Sequence, residues 1–139
     1  MKPAGWRERL LAYAVSMSGK PFAWSQTDCA VVVMGAVDAM IGGSRLTDLC
    51  KGRYHSAREA RRLQRDIDAR RALLDIGAVV VPARACQCGD VLIGQANGFV
   101  CAHICLSRDY SLASSPESGV ALFSTHGILK AGAEVLRLA

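Results

Sequence analysis

Apolar residues recur at helical spacing from the start of the chain. Trp6, Leu10, Tyr13, Ala14 and Met17 fall on one face, predicting an amphipathic helix that runs through about Ser18 and breaks at Gly19-Lys20-Pro21. Phe22-Ala23-Trp24 leads into Thr27-Asp28, either of which can cap a second helix carrying Cys29, Val32, Val33, Ala36, Val37 and Met40. Gly42-Gly43 ends it. A polar linker holds Cys50 and Gly52-Arg53-Tyr54, and Ser56-Ala57-Arg58-Glu59 reads as a capping box for a third helix through about Arg71. After Gly77 the period changes to that of extended chain: Ala78 to Val81, Gly89 to Ile93, Phe99 to Leu106, Gly119 to Phe123 and Glu134 to Leu138. Ala113 to Ser118, centred on Ser114-Ser115-Pro116, reads as a loop. Helices first and strands second, with short connections, predict an α+β fold: N-terminal helices packed on a C-terminal antiparallel sheet.

With 139 residues, the chain suits a single domain over 1–139, and 51% hydrophobic positions exclude global disorder. The longest apolar run, Cys29 to Val37, is too short to span a membrane. Lys2, Arg7 and Arg9 precede a short apolar stretch, but Glu8 interrupts the basic region, so the expectation is a first helix of the domain and synthesis in the cytoplasm. Without a secretion signal, the six cysteines are expected as reduced thiols. A net charge of +5 permits an anionic partner without demanding one. The basic residues crowd between Lys51 and Arg71, as a solvated helix face or an electrostatic protein interface; with no aromatics between the arginines, a nucleic-acid stacking platform is not indicated.

Cys29 is the residue to weigh first for chemistry. In the first turn of a helix, the dipole favours its thiolate, which becomes a nucleophile if a histidine stands beside it; the alternative is a thiol packed at the base of a core helix. His55 belongs to the polar linker and His126 to a turn or short helix, whereas His103 lies in the strand Cys101-Ala102-His103-Ile104-Cys105, with positions 101, 103 and 105 on one face. A helix-borne Cys29 facing a strand-borne His103 would form a papain-like pair. Cys86, Cys88, Cys101, His103 and Cys105 also offer soft metal ligands, but Cys-x-Cys is tight and unlike common zinc spacings. Trp6 and Trp24 read as core anchors.

Pro21-Phe22-Ala23-Trp24-Ser25-Gln26-Thr27-Asp28-Cys29-Ala30, with Gly52-Arg53-Tyr54 and Gly89-Asp90-Val91, resembles a family of small bacteriophage tail proteins related to the NlpC-like cell-wall cysteine peptidases. The likeness spans about residues 6 to 138. It implies a papain-like NlpC-type fold, assembly into the virion tail beside other tail-tip proteins, and no cofactor or metal. In active relatives it implies cleavage of amide bonds in peptidoglycan stem peptides. The family pattern puts the nucleophile on Cys29, but its histidine aligns with Cys101, and His103 takes a glycine position. Two readings follow: a tail-tip or assembly component keeping the peptidase fold, or a peptidoglycan endopeptidase using Cys29 and His103 to open the cell wall.

Overall fold

The computed structural model describes residues 2–66, 68–96 and 99–138. Among the described residues, five α-helices, α1 (Trp6–Met17), α2 (Cys29–Ile41), α3 (Ala57–Gln64), α4 (Ala69–Asp75) and α5 (Thr125–Lys130), accompany six strands: β1 (Val79–Val81), β2 (Val91–Ala96), β3 (Phe99–Cys105), β4 (Tyr110–Ser115), β5 (Gly119–Ser124) and β6 (Glu134–Arg137). The α+β expectation is met: four helices come first, and the sheet, antiparallel throughout, follows in the order β1-β6-β2-β3-β4-β5.

Two expectations need correcting. The third helix is two helices, because Asp68 caps a new one by accepting the Arg71 N–H at 2.8 Å. Of the loop expected over Ala113 to Ser118, residues 113–115 belong to β4, and only the turn at Pro116 to Ser118 lies outside the strands. This strand is rich in serine, yet two of its hydroxyls find local partners: Ser111 with Thr125 at 2.7 Å and Ser115 with Ser118 at 2.8 Å.

α2 is the axis of the core. Asp28, the cap that the sequence left open between two candidates, accepts the Val31 N–H at 3.0 Å. Val32, Val33, Val37 and Met40 are fully buried, against the sheet face that carries Ala102, Ile104 and Leu112. α1 clasps α2 by polar contacts as well as packing: the Tyr13 hydroxyl donates to the Val32 carbonyl, and Arg9 donates to the carbonyls of Ala39 and Met40, which end the helix. A smaller cluster of Leu92, Cys105 and Val135 lies under Ile128 and Leu129 of α5, on the other face of the sheet. No helix of the described residues is long and apolar enough to cross a membrane.

Gly89-Asp90-Val91 is architectural. Gly89 has φ +90°, and a Cβ there would lie 2.7 Å from the Trp6 ring. Asp90, fully buried, takes a two-pronged pair from Arg137 of β6 at 2.9 and 2.8 Å and the Gln87 N–H at 3.0 Å.

Candidate functional site

The chain turns sharply into α2 at Ser25, which is fully buried and left-handed with φ 60°. A non-glycine residue in that region stores of order 1 kcal/mol of strain, so surrounding contacts must hold it. They do: the Ser25 N–H donates to the Asp28 carboxylate at 2.8 Å, and the Ser25 carbonyl accepts the Gly52 N–H at 3.1 Å. Asp28, only 3% exposed, also accepts the Tyr54 hydroxyl. Burial first, then the charge of Asp28, push the Tyr54 phenol up, so it stays a donor. The segments 21–30 and 52–54, distant in sequence, therefore meet around one carboxylate whose oxygens are spent on the turn and the helix cap.

That scaffold sets Cys29 in the first turn of α2, at a cleft of about 270 Å³. Phe22 and Trp24, stacked edge-to-face with centroids 4.8 Å apart, line it, together with Gln64 and the Ser115 to Glu117 turn. Trp24 thus serves core and cleft together. The hydroxyl of Ser114, a residue 8% exposed, borders the cleft without a hydrogen-bond partner.

The partner of the Cys29 thiol is Cys101. Their side-chain hydrogen bond, followed by burial, pushes the Cys29 thiol well above its ordinary range; the Ala102 backbone N–H, bonded to the same sulfur, pulls the other way. The α2 dipole favours thiolate here, but the Cys101 contact and desolvation outweigh it. At neutral pH Cys29 is a protonated thiol.

The edge of β3 explains how a thiol comes to sit there. Cys105 exchanges backbone bonds with Gly89 and Asp90 on the β2 side, so by the period of two the backbone groups of residues 100, 102 and 104 point the other way, towards β4. β4 pairs with β3 only at Ile104↔Leu112 and Cys105↔Ser111 among the described residues. Beyond them Cys29 takes the Ala102 N–H, and the Gln64 side chain takes both the N–H (3.3 Å) and the carbonyl (3.2 Å) of Val100. Two side chains thus take backbone groups of β3 that β4 does not pair.

His103 is not brought to Cys29. It lies in a second cleft, on the α5 face, with Phe123, Ser124, Gly127 and Ile128. Its ring meets Phe123 edge-on at 5.9 Å, and its Nδ1 is buried without a partner. Burial lowers the imidazole pKa, against a smaller upward pull from the Leu92 backbone. Cys101 alone among the described residues lines both clefts. His55 and His126 are exposed.

The other thiols disperse. Cys86 hydrogen-bonds Cys105, and burial pushes Cys86 up to about 12; Cys88 lies beside Arg7, and Cys50 is buried at Leu46 and Thr47. No group of three or more His, Cys, Asp or Glu among the described residues is arranged to hold a metal ion. Of the basic segment, Arg58, Arg61, Arg62 and Arg65 are exposed on and just after α3, while Arg70 pairs with Glu134 of β6 at 2.5 Å. No local pattern marks that last partner, which only the placement of β6 supplies.

No curated protein matches this sequence. A family model does match it, over residues 1–131 and so across the helices, the Cys29 turn and the first five strands, and the chain belongs to that family, described as Domain of unknown function (DUF6950).

Proposed function

We propose that this chain is a bacteriophage tail component, acting in the tail tip or in tail assembly, that keeps a papain-like NlpC-type fold but not its hydrolytic machinery. The tail assignment rests on the likeness of Pro21 to Ala30, Gly52-Arg53-Tyr54 and Gly89-Asp90-Val91 to small phage tail proteins. A helix that begins at Cys29 and packs its length on an antiparallel sheet is compatible with that fold. The observation that carries the inactive reading is the neighbour of Cys29: a thiol, Cys101, where a hydrolase needs an imidazole. A cysteine held protonated by a second cysteine is a weak nucleophile, and His103, on the other face of the sheet, has no route to its proton. The chain would then work through its surfaces, beside other tail-tip proteins and near peptidoglycan.

The experiment has two arms. Purified protein is incubated with peptidoglycan sacculi and new amino groups are counted; release should match that of Cys29→Ala. In a phage carrying this chain, deleting it should abolish tailed particles, whereas Cys29→Ala should leave them intact. Cys29-dependent release of amino groups would overturn the inactive reading in favour of an endopeptidase. Normal tails after deletion would overturn the tail assignment.

A further inference from the structure

We propose that Cys29 and Cys101 form a reversible intramolecular disulfide, making this cleft a redox-modifiable site whose co-substrate is a low-molecular-weight disulfide. The proposal stands on placement and is independent of whether the chain belongs to a phage tail. The two thiols meet at one cleft, between the helix start and the strand edge, and the Cys101 side chain acts on the Cys29 thiol more strongly than any other group. Both line the same open cleft, so a small disulfide can reach them. A sulfur–sulfur bond of about 2.05 Å would tie the first turn of α2 to β3. β4 does not cover that length of β3, since its pairing reaches only Ile104 and Cys105 among the described residues.

Cys101 opens onto both clefts and is the thiol that the oxidant meets first. Its thiolate attacks one sulfur of the small disulfide, breaking that S–S bond and releasing one small thiol, which takes up a proton. Cys29 then loses its proton, its thiolate attacks the Cys101 sulfur of the mixed disulfide, and the second small thiol leaves as a thiolate that takes up a proton. In sum, two protein thiols lose two electrons and two protons, and the small disulfide gains both to become two thiols. Closure joins the N-terminus of α2 to β3 across the Cys29 cleft and withdraws both sulfurs from it. It leaves Cys86 and Cys105, a second thiol contact on the α5 face, as an internal comparison.

The test equilibrates the full chain with glutathione and glutathione disulfide at several ratios, blocks the remaining thiols with N-ethylmaleimide, and maps the digest by mass spectrometry. The expected result is a cross-linked peptide joining Cys29 to Cys101 that grows with the oxidised fraction and disappears on return to reduced glutathione. Cys101→Ser should remove the cross-link and leave Cys29 unoxidised. The wild-type map is decisive by itself, so the test survives if that variant folds poorly. A stable glutathione adduct on Cys101 with no cross-link would overturn the proposal. So would a map in which only Cys86 and Cys105 are joined, or one in which all six thiols stay blocked by maleimide.

Discussion

Replacing Asp28 by alanine should destabilise the chain by about 3–7 kcal/mol. Three bonds converge on this carboxylate, and each loss has its own size. Losing the cap on α2 costs about 1 kcal/mol. The Tyr54 hydroxyl and the Ser25 N–H are then left buried without acceptors, at about 1–3 kcal/mol each. For a domain of this size the sum lowers the melting midpoint by about 10–25 °C. Asp28→Asn should cost less: its carbonyl can still cap Val31 and its NH2 can donate to a reoriented Tyr54 hydroxyl, but the NH2 cannot accept the Ser25 N–H. Urea unfolding followed by the fluorescence of Trp6 and Trp24 gives the free energies. A double-mutant cycle with Tyr54→Phe isolates the hydroxyl, with an expected coupling of about 1–2 kcal/mol. If Asp28→Ala costs less than about 1 kcal/mol, or if the two substitutions are additive, the carboxylate does not hold the turn and the reasoning fails.

Two further predictions follow from other buried groups. Arg137→Ala strands the fully buried Asp90 without its counter-charge and should cost about 3–5 kcal/mol, partly recovered when Asp90→Asn is added; full stability of the single variant in urea would refute the pairing. His103 holds its proton less firmly folded than unfolded, because burial lowers its pKa, so below about pH 6.5 the unfolded chain binds more protons and stability falls, levelling off once the folded ring is also protonated. His103→Gln should flatten that part of the curve of urea midpoint against pH, and an unchanged slope would mean that the ring is not buried as described.

How much of this was legible in the sequence depended on whether the deciding interaction was local. The second helix was readable because its cap, apolar face and glycine stop lie within one stretch from Asp28 to Gly43. The break between α3 and α4 was hidden by the arginines running through it; Asp68 was the available signal, an acidic cap before a new helical turn. The sequence Tyr-Ser-Leu-Ala-Ser-Ser has a weak preference for extended chain and becomes a strand because β3 and β5 flank it and Thr125 takes one of its hydroxyls. At the site, Asp28 and Cys29 stood out by position, and Tyr54 by its place in Gly52-Arg53-Tyr54. That Cys101 and not His103 meets Cys29 is a different matter. It depends on where β4 stops pairing with β3, and no local pattern records that.

The position of β6 bears on the order in which the chain assembles. During synthesis β2, β3, β4 and β5 emerge in succession, and each can pair with its predecessor through a short connection. β1, made earlier than all of them, has no neighbour in the sheet until β6 arrives, because β6 is the strand that lies between β1 and β2. Asp90 likewise has no guanidinium partner until Arg137 is in place. Until β6 docks, β2 is an open edge and β1 has no neighbour, so one strand closes two gaps at once. The β1–β6 pairing joins segments far apart in sequence, and its loop-closure entropy cost exceeds that of the hairpins between β2 and β5.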